Sequence, residues 1–123
     1  MLDRLVQVTP NQAEVLASRG VYHARAQQRD LAIRDAEAAL KFNSDAMTNF
    51  RVACIFSLTS VLEPLDITKA LGALAAALQK QPSLGSLAVR DSDLKPLYQE
   101  KQFLELVAAA RRLQRPMAEG NAN

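Results

Sequence analysis

The residues of this sequence that could do chemistry are few and far apart. His23 is the only histidine and Cys54 the only cysteine, and a catalytic base or nucleophile needs a partner group close to it. Asp91 and Asp93 have the alternating spacing of a calcium loop, but no glycine follows for the sharp turn and no glutamate stands at the twelfth position. We therefore interpret His23 and Cys54 as packing residues and the two aspartates as helix caps.

Motifs for catalysis and for cofactor binding are missing from the sequence. It contains no glycine-rich phosphate loop, no G-x-S-x-G nucleophile turn and no cluster of cysteine and histidine. A reactive cysteine needs an electropositive and partly exposed setting, whereas Cys54 stands at a position that a small packing residue fills elsewhere in the sequence. We therefore predict a protein that is not an enzyme and that has no cofactor and no metal site.

The charge of the sequence limits the kinds of partner to expect, and its cysteine content indicates the cellular compartment. The 15 basic and 13 acidic residues are mixed along the chain and give a net charge of +2, which gives no reason to expect nucleic acid or an anionic membrane as the partner. A single cysteine cannot form an internal disulfide, and the sequence has no signal peptide and no apolar run of about 18 residues. We therefore expect a cytoplasmic protein that binds neither nucleic acid nor a membrane.

Helices must position these residues, because no stretch of the sequence alternates between apolar and polar residues as a β-strand does. Alanine and leucine dominate a sequence that is 49% hydrophobic but only 5% aromatic, which favours close-packed helices in one domain. The pattern predicts helices over 10–27, 31–42 and 46–59, a short helix within 83–89, a brief turn over 94–98 and a last helix over 102–113. Asp30 is expected to cap the second helix. The last helix should turn Phe103, Leu106, Val107 and Ala110 inward.

The first helices of the sequence repeat with a period of 34 residues. A shift of 34 places large residues on large ones and small residues on small ones. The matched pairs are Leu16 with Phe50, Gly20 with Cys54, Val21 with Ile55 and Ala24 with Leu58. A glycine in mid-helix costs roughly 1 kcal/mol against alanine, so we expect Gly20 and Cys54 to lie at close helix crossings.

The second helices match at a spacing of 38 instead. The matched pairs are Ile33 with Leu71, Ala36 with Leu74, Ala39 with Ala77 and Leu40 with Leu78. Four residues have therefore been inserted in the stretch 60–66, where they lengthen the turn between paired helices. Because Val61, Leu62 and Leu65 are apolar, we expect this loop to fold back on the helices.

The period of 34 and the residues Gly20, Ala32 and Ala39 resemble the tetratricopeptide (TPR) repeat, a helix–turn–helix unit. The large aromatic positions of the family pattern are reduced, and Ser44 replaces its closing proline. The resemblance implies an all-α fold in which antiparallel helix pairs stack as a short α-solenoid with a degenerate capping unit at the C-terminus. The expected parts are a half-repeat over 1–11, repeats over 12–45 and 46–82, a capping unit over 83–115 and a disordered tail over 116–123.

In TPR folds the first helix of each pair lines a concave groove, so the resemblance implies a partner-binding site on these helices. The groove residues that it implies are Val21, Arg25, Arg51, Ile55 and Leu58. The family's clamp for a C-terminal carboxylate is not carried over, because its lysines and asparagines are replaced here. An apolar strip beside two arginines suits a short amphipathic or acidic segment of a protein or peptide partner. Alternatively, a neighbouring repeat or the C-terminal helix fills the strip.

The run from Asp91 to Leu97, followed by Phe103, resembles the tail that closes TPR arrays in some large bacterial proteins. Such arrays include those attached to serine/threonine kinases in planctomycete-type genomes. Their run reads D-P-D-L-x-P-L, and Ser92 stands here in place of its first proline. The resemblances imply two compatible functions, a protein-interaction scaffold or a structural and regulatory segment of a larger bacterial protein such as a kinase.

The first ten residues have the pattern of the second helix of an incomplete repeat. Their apolar residues fall on the positions of such a helix, and Pro10 stands where a repeat ends. These apolar residues are Leu2, Leu5, Val6 and Val8. We expect either a solitary capping helix or a piece cut from a longer chain. The isolated chain should then expose an apolar strip, so we expect homodimers through the N-terminal helix.

Overall fold

Helices are the only regular secondary structure in the described part of the chain. The computed structural model describes residues 11–122, with side chains as far as residue 114. The helices in chain order are α1 (Gln12–Arg25), α2 (Arg29–Phe42), α3 (Ala46–Thr59), α4 (Asp66–Lys80), α5 (Leu84–Ala88), a 3-10 helix (Ser92–Leu97) and α6 (Lys101–Ala122). No strand occurs between residues 11 and 122, so the all-helical prediction is confirmed. The half-repeat expected before α1, with its apolar strip, lies outside the described residues.

Small residues let α1 and α2 pack closely along each other. The buried stripe of α1 is Ala13, Ala17, Gly20 and Ala24, and that of α2 is Ala32, Asp35, Ala36 and Ala39. Residues three and four apart share one helix face, so each helix turns a narrow stripe of alanine and glycine inward. With so little side-chain bulk between them, the two backbones approach closely.

Gly20 lies where α1, α2 and α3 meet. A Cβ atom on Gly20 would stand 2.6 Å from Cδ1 of Ile55 in α3 and 3.1 Å from Cβ of Asp35 in α2. Both distances are tighter than ordinary van der Waals contact, so a larger residue fits only if its neighbours move. The close crossing expected at Gly20 is confirmed. Cys54, its match in the repeat, instead faces the 3-10 helix, with its thiol sulfur 3.8 Å from an oxygen of Asp91.

α3 is the central helix, with buried side chains around most of its circumference. It begins at Ala46 and ends at Thr59, as predicted. The carboxylate of Asp45 caps its start by accepting a hydrogen bond from the backbone N–H of Thr48 at 2.9 Å. α3 packs against α1, α2, α4 and the 3-10 helix, so it joins the first helix pair to the rest of the chain.

The start of α2 differs from the prediction. α2 begins at Arg29, and the residue at its N-cap is Gln28. The chain leaves α1 through Gln27 in a left-handed conformation with φ of 64°, and this sharp turn starts α2 before Asp30. The cap predicted at Asp30 is therefore wrong. Asp30 lies in the first turn instead, where its negative charge complements the helix dipole.

The inserted α3–α4 loop also differs from the prediction. Val61, Leu62 and Leu65 are 69%, 50% and 77% exposed, so the loop does not fold its apolar side chains back on the helices. The loop winds tightly onto the end of α3, because the N–H groups of Leu62 and Glu63 both donate to the carbonyl oxygen of Thr59 at 2.9 Å. This winding turns the apolar side chains outward.

Residues 84–122, which we term the closing unit, complete the stack. Leu94 and Leu97 of the 3-10 helix are fully buried, and the 3-10 helix packs against α3. Asp91 caps that helix by accepting a hydrogen bond from the N–H of Asp93 at 2.9 Å, as predicted. The cap predicted at Asp93 is wrong, because Asp93 lies inside the helix and its carboxylate binds Arg25. The Tyr98 hydroxyl donates to the carbonyl oxygen of Asp91 at 2.9 Å, which ties the end of the turn to its start.

α6 buries the face that the sequence predicts. Phe103, Val107 and Ala110 are buried, and Leu106 packs against the same cluster. α6 is described as far as Ala122, and the disordered tail expected over 116–123 stays a prediction. None of the described helices combines the length and the apolar character needed to cross a membrane.

Arginine–aspartate pairs connect elements that are distant in sequence. Arg19 of α1 donates to both carboxylate oxygens of Asp35 in α2 at 2.9 and 2.7 Å. Arg29 of α2 binds Asp66 of α4 in the same way, at 2.8 and 3.0 Å. Asp66 also accepts a hydrogen bond from the Thr59 hydroxyl at 2.7 Å. A third pair connects α1 to the 3-10 helix.

Candidate functional site

An open cleft of about 310 Å³ lies between α1, α3 and the closing unit. Its walls combine apolar and charged side chains: Val21 and Arg25 from α1, Met47 and Arg51 from α3, and Leu87, Asp91 and Asp93 from the closing unit. A helix with its side chains is about 10–12 Å across, so a cleft of this volume holds one or two side chains of a partner and not a whole helix.

Three of the five predicted groove residues line this cleft, and two do not. Val21, Arg25 and Arg51 come together there from two helices. Ile55 is fully buried, and its side chain reaches under Gly20. Leu58 is partly buried and packs against the same small core cluster. Ile55 and Leu58 therefore hold the helices together and do not form the surface of the cleft.

The orientation of α3 explains this difference. Met47, Phe50 and Cys54 line the cleft, and their spacing of three, four and seven residues puts them on one helix face. Ile55 lies about 100° further round the helix, towards α1 and α2. The internal 34-residue repeat that pairs Ile55 with Val21 therefore predicted a residue on the neighbouring face of α3. The helical spacing of Met47, Phe50 and Cys54 was the signal that could have found the correct one.

Arg25 is already bound within the chain. Its Nε and Nη2 atoms donate to the two carboxylate oxygens of Asp93 at 3.1 and 2.7 Å, a two-bond geometry that suits a guanidinium group. The hydrogen bonds to Asp93, and then its charge, raise the pKa of Arg25. Arg25 therefore stays charged, its charge is compensated, and the closing unit occupies its end of the cleft.

Arg51 makes a looser internal contact. Its Nη2 atom lies 3.6 Å from Oε2 of Glu14, which is beyond hydrogen-bond distance. Its side chain is 30% exposed, and it also lines a second cavity of about 330 Å³ beside the start of α3. Although the Arg25 side chain is more exposed, at 62%, the looser internal contact of Arg51 leaves its guanidinium group better placed to bind an anionic group from outside.

One group of residues in the cleft has the spacing of metal ligands. The sulfur of Cys54 and carboxylate oxygens of Asp91 and Asp93 all lie within 4.8 Å of one another. Internal contacts already engage these atoms, because Arg25 binds Asp93 and the N–H of Asp93 binds Asp91. Burial, and then the charge of Asp91, raises the pKa of the Cys54 thiol. Sequence reasoning could not group these residues, since 37 positions separate Cys54 from Asp91.

His23 lies away from the residues that line the cleft. Its Nδ1 atom is 2.9 Å from Oε1 of Gln28, and its Nε2 atom is 3.7 Å from Oδ2 of Asp35. Its ring also meets that of Tyr22 edge-on, with 5.8 Å between the centroids. These contacts connect α1 to the turn that follows it and to α2, which is a packing role.

The cleft therefore offers binding chemistry. Val21, Met47 and Leu87 form an apolar wall for a side chain, and a guanidinium group with a weak internal contact stands beside it. No protein-family model, no curated protein and no solved structure matches this chain.

Proposed function

We propose that this chain is a non-enzymatic protein-interaction module that binds a short segment of a protein or peptide partner in the cleft between α1 and α3. The observation that carries the proposal is the meeting of Val21, Arg25 and Arg51 on one open cleft. An apolar side chain of the partner enters beside Val21, and a neighbouring carboxylate binds Arg51. The proposed setting is the cytoplasm, where a single unpaired cysteine stays reduced.

The helix arrangement that we propose is a short TPR-like α-solenoid of antiparallel pairs. α3 begins 34 residues after α1, at Ala46 and Gln12, which is the length of one TPR unit. α1 packs along α2, α3 packs along α4, and α1 also packs on α3. These neighbours are the ones that stacked helix pairs require, with the first helices side by side. Such stacking leaves a groove along the first helices.

Charge and shape in the cleft support an acidic, apolar partner segment. The guanidinium group of Arg51 binds carboxylates in a planar, two-bond geometry, and its contact with Glu14 at 3.6 Å is weak enough to be exchanged. Met47 has a flexible side chain that adapts to different apolar groups. Arg25 serves a different purpose, because it holds Asp93 and thereby the closing unit that forms one wall.

The settings of the two reactive residue types support a binding function over catalysis. The Cys54 thiol is buried and its pKa is raised, so it is held in the protonated form that is a poor nucleophile. The imidazole of His23 is engaged with Gln28 and lies outside the cleft lining. Neither residue stands ready to attack or to deprotonate a molecule in the cleft.

Selection from a random peptide library tests the proposal. The immobilised chain should enrich displayed peptides of about 12 residues that carry an aspartate or glutamate beside an aliphatic or aromatic residue. The enriched peptide, synthesised with a fluorophore, should bind the parent chain in solution. Arg51→Glu should weaken that binding about tenfold or more, because like charges replace an attraction.

Arg34→Glu is the matched control, since Arg34 is exposed on α2, away from the cleft lining. It makes the same change of net charge and should leave the affinity of the peptide unchanged. Failure to enrich any peptide, or equal loss of affinity in both variants, would contradict a binding site at the cleft. Circular dichroism of all three proteins shows whether they are equally folded.

A second candidate function is a spacer or docking segment of a larger bacterial protein. The observation that favours it is the folding of residues 91–97 into a closing turn with Leu94 and Leu97 fully buried, as a tail that ends an array requires. The two functions are compatible. A genomic reading frame that carries a kinase domain together with this chain would support the second, and one without any further domain would contradict it.

A further inference from the structure

The cleft adjoins the second cavity that Arg51 lines. Met47 and Arg51 of α3 belong to the walls of both, so the two spaces meet along that helix. On α1 the walls pass from Glu14, which lines the second cavity, to Val21 and Arg25, which line the cleft. Spacings of seven and four residues keep these three side chains on one face of α1. We term the two spaces together the long groove.

The long groove extends further than one side chain requires. Glu14 and Arg25 are 11 positions apart, which corresponds to about 16 Å along α1. An extended peptide rises about 3.3 Å per residue, so about five residues of a partner span this distance. A bound segment therefore meets three regions in turn: the second cavity, the guanidinium group of Arg51 and the apolar wall of the cleft.

The charge changes sign along the long groove. The carboxylates of Glu14 and Asp45 line the second cavity, beside the start of α3. The Glu14 side chain is 55% exposed, and hydrogen bonds from Thr48 lower the pKa of Asp45, which keeps that carboxylate charged at neutral pH. Arg51 stands between this cavity and the cleft, because it lines both. Negative charge, positive charge and apolar surface therefore follow one another.

Glu14 is also the internal partner of Arg51. The Nη2 atom of Arg51 lies 3.6 Å from Oε2 of Glu14. A partner that supplied only a carboxylate would take Arg51 from Glu14 and leave the Glu14 carboxylate without a cation. A partner that also supplies a cation replaces one loose internal pair by two pairs across the interface. Such a partner is the better electrostatic complement of the groove.

We propose that the long groove binds a partner segment with three features in a fixed order: a lysine or arginine, then an aspartate or glutamate, then an aliphatic or aromatic residue. The inference rests on the proposed function, to which it adds the cation and the order. The cation binds Glu14 and Asp45, the carboxylate binds Arg51, and the apolar side chain enters beside Val21. Glu14 is therefore a residue that determines specificity.

Selection from a library with one fixed residue tests the order. The probe is a displayed library of peptides of about 12 residues with a glutamate fixed at the centre and random residues elsewhere. The parent chain should enrich lysine or arginine on one side of the glutamate and an apolar residue on the other. Glu14→Gln should keep the apolar enrichment and return lysine and arginine close to library frequency.

Glu37→Gln is the matched control for this selection. It makes the same charge change at an exposed position of α2 that lines neither part of the long groove. The peptides that it enriches should show the parent pattern. Loss of the basic residues from the Glu37→Gln selection as well would mean that net charge, and not Glu14, selects them, and would overturn the inference.

Titration of two synthetic peptides measures the contribution of the cation. One is the most enriched peptide, and the other carries glutamine in place of its lysine or arginine. The first should bind the parent chain about threefold more tightly, as an ion pair at an exposed site allows. This ratio should fall close to one in Glu14→Gln. Only the ratio reports on the cation, because Glu14→Gln also releases Arg51.

The outcomes separate this inference from the proposed function. Apolar enrichment without basic residues, or a ratio that Glu14→Gln leaves unchanged, would overturn the order proposed here and leave binding at the cleft intact. No enrichment from this library or from the fully random one would overturn both. Dimers of the chain that the peptide dissociates, measured by sedimentation velocity, would assign the long groove to a second copy and would also overturn the inference.

Discussion

At the scale of single residues, two mid-helix glycines have different surroundings. A Cβ on Gly20 would come within 2.6 Å of Ile55, whereas nothing lies within 4 Å of the position that a Cβ on Gly72 would take. Glycine weakens a helix in both places by a similar amount, because it gains more freedom than alanine on unfolding. Only at Gly20 does close packing compensate for this loss.

Substitution of the two glycines should therefore have opposite effects. Gly72→Ala should stabilise the protein by about 0.5–1 kcal/mol through helix propensity alone. Gly20→Leu should destabilise it by about 1–3 kcal/mol, because the fully buried Ile55 and the Cβ atom of Asp35 would have to move. Urea unfolding at neutral pH measures both changes. Gly20→Leu as stable as the parent would show that the crossing of α1, α2 and α3 is looser than described.

The locations of the two arginines of the cleft could be predicted from the sequence, but their roles could not. The helical register placed Arg25 and Arg51 near one groove, and both line the cleft. Their different roles could not be predicted, since the partner of Arg25 is Asp93, 68 positions away. Which of two similar cations is neutralised depends on the path of the closing unit. That path is set by the burial of Leu94 and Leu97 and not by any local signal.

At the scale of elements, the 3-10 helix holds the closing unit to the stack. It has only six residues, too few to be stable by its own hydrogen bonds. Its stability therefore comes from the burial of Leu94 and Leu97 and from the bond between Asp93 and Arg25. The cleft depends on this short element because it supplies one wall.

Truncation of a leucine in the closing unit should reveal this dependence. Leu94→Ala removes a fully buried side chain and should cost about 2–5 kcal/mol. Leu104→Ala, in α6, removes a side chain that is 57% exposed and should change stability by less than about 0.5 kcal/mol. Thermal or urea unfolding of both variants checks the difference. Equal stability of the two variants would mean that the 3-10 helix is not a core element.

Elements with clear local signals were predictable, and elements that depend on turns were not. The bounds predicted for α3 are correct to the residue, and the spacing of Phe103, Val107 and Ala110 identified the buried face of α6. The α1–α2 turn was misplaced because the left-handed Gln27 leaves no mark in the sequence. The inserted loop was misjudged because backbone hydrogen bonds, not side-chain hydrophobicity, decide which way it faces.

At the scale of the whole molecule, ionised aspartates connect the helices, and this makes stability depend on pH. Burial acts to raise the pKa of Asp66, but hydrogen bonds from Arg29 and Thr59 outweigh it and hold the pKa below its ordinary value. Hydrogen bonds from Arg19 lower the pKa of Asp35. A carboxylate whose pKa is lower in the folded chain stabilises it fully above the unfolded pKa. That stabilisation is lost as the pH falls through the folded value.

The free energy of unfolding should therefore be nearly constant from pH 7 to 5 and decline below about pH 4. Asp66→Asn should make this decline shallower, because one carboxylate with a lowered pKa is gone. Glu37→Gln makes the same charge change at an exposed position of α2 and should leave the decline parallel to that of the parent. Urea unfolding at four pH values tests this, and a parent curve that stays flat to pH 3 would contradict it.

The final prediction concerns how the cleft distinguishes partners. It is tested with the acidic peptide that is enriched from the random library. Arg51→Glu should weaken binding most at low salt, since surface charges are screened within about 10 Å at 0.1 M salt, and should act mainly on the association rate. Val21→Asp should weaken binding at any salt, because it removes apolar contact. Ile55 cannot serve in this test, since it is fully buried and an aspartate there would unfold the crossing at Gly20.

Arg25→Glu separates the two arginines, because it places a negative charge beside Asp93. Hydrogen exchange over residues 91–98 should rise in Arg25→Glu and stay unchanged in Arg51→Glu. Stopped-flow titrations at about 50 and 500 mM salt give the rates for each variant. If Arg51→Glu and Arg25→Glu lose affinity with the same salt dependence and the same exchange pattern, the cations act together. The proposal that Arg25 stabilises the cleft while Arg51 binds the partner would then be wrong.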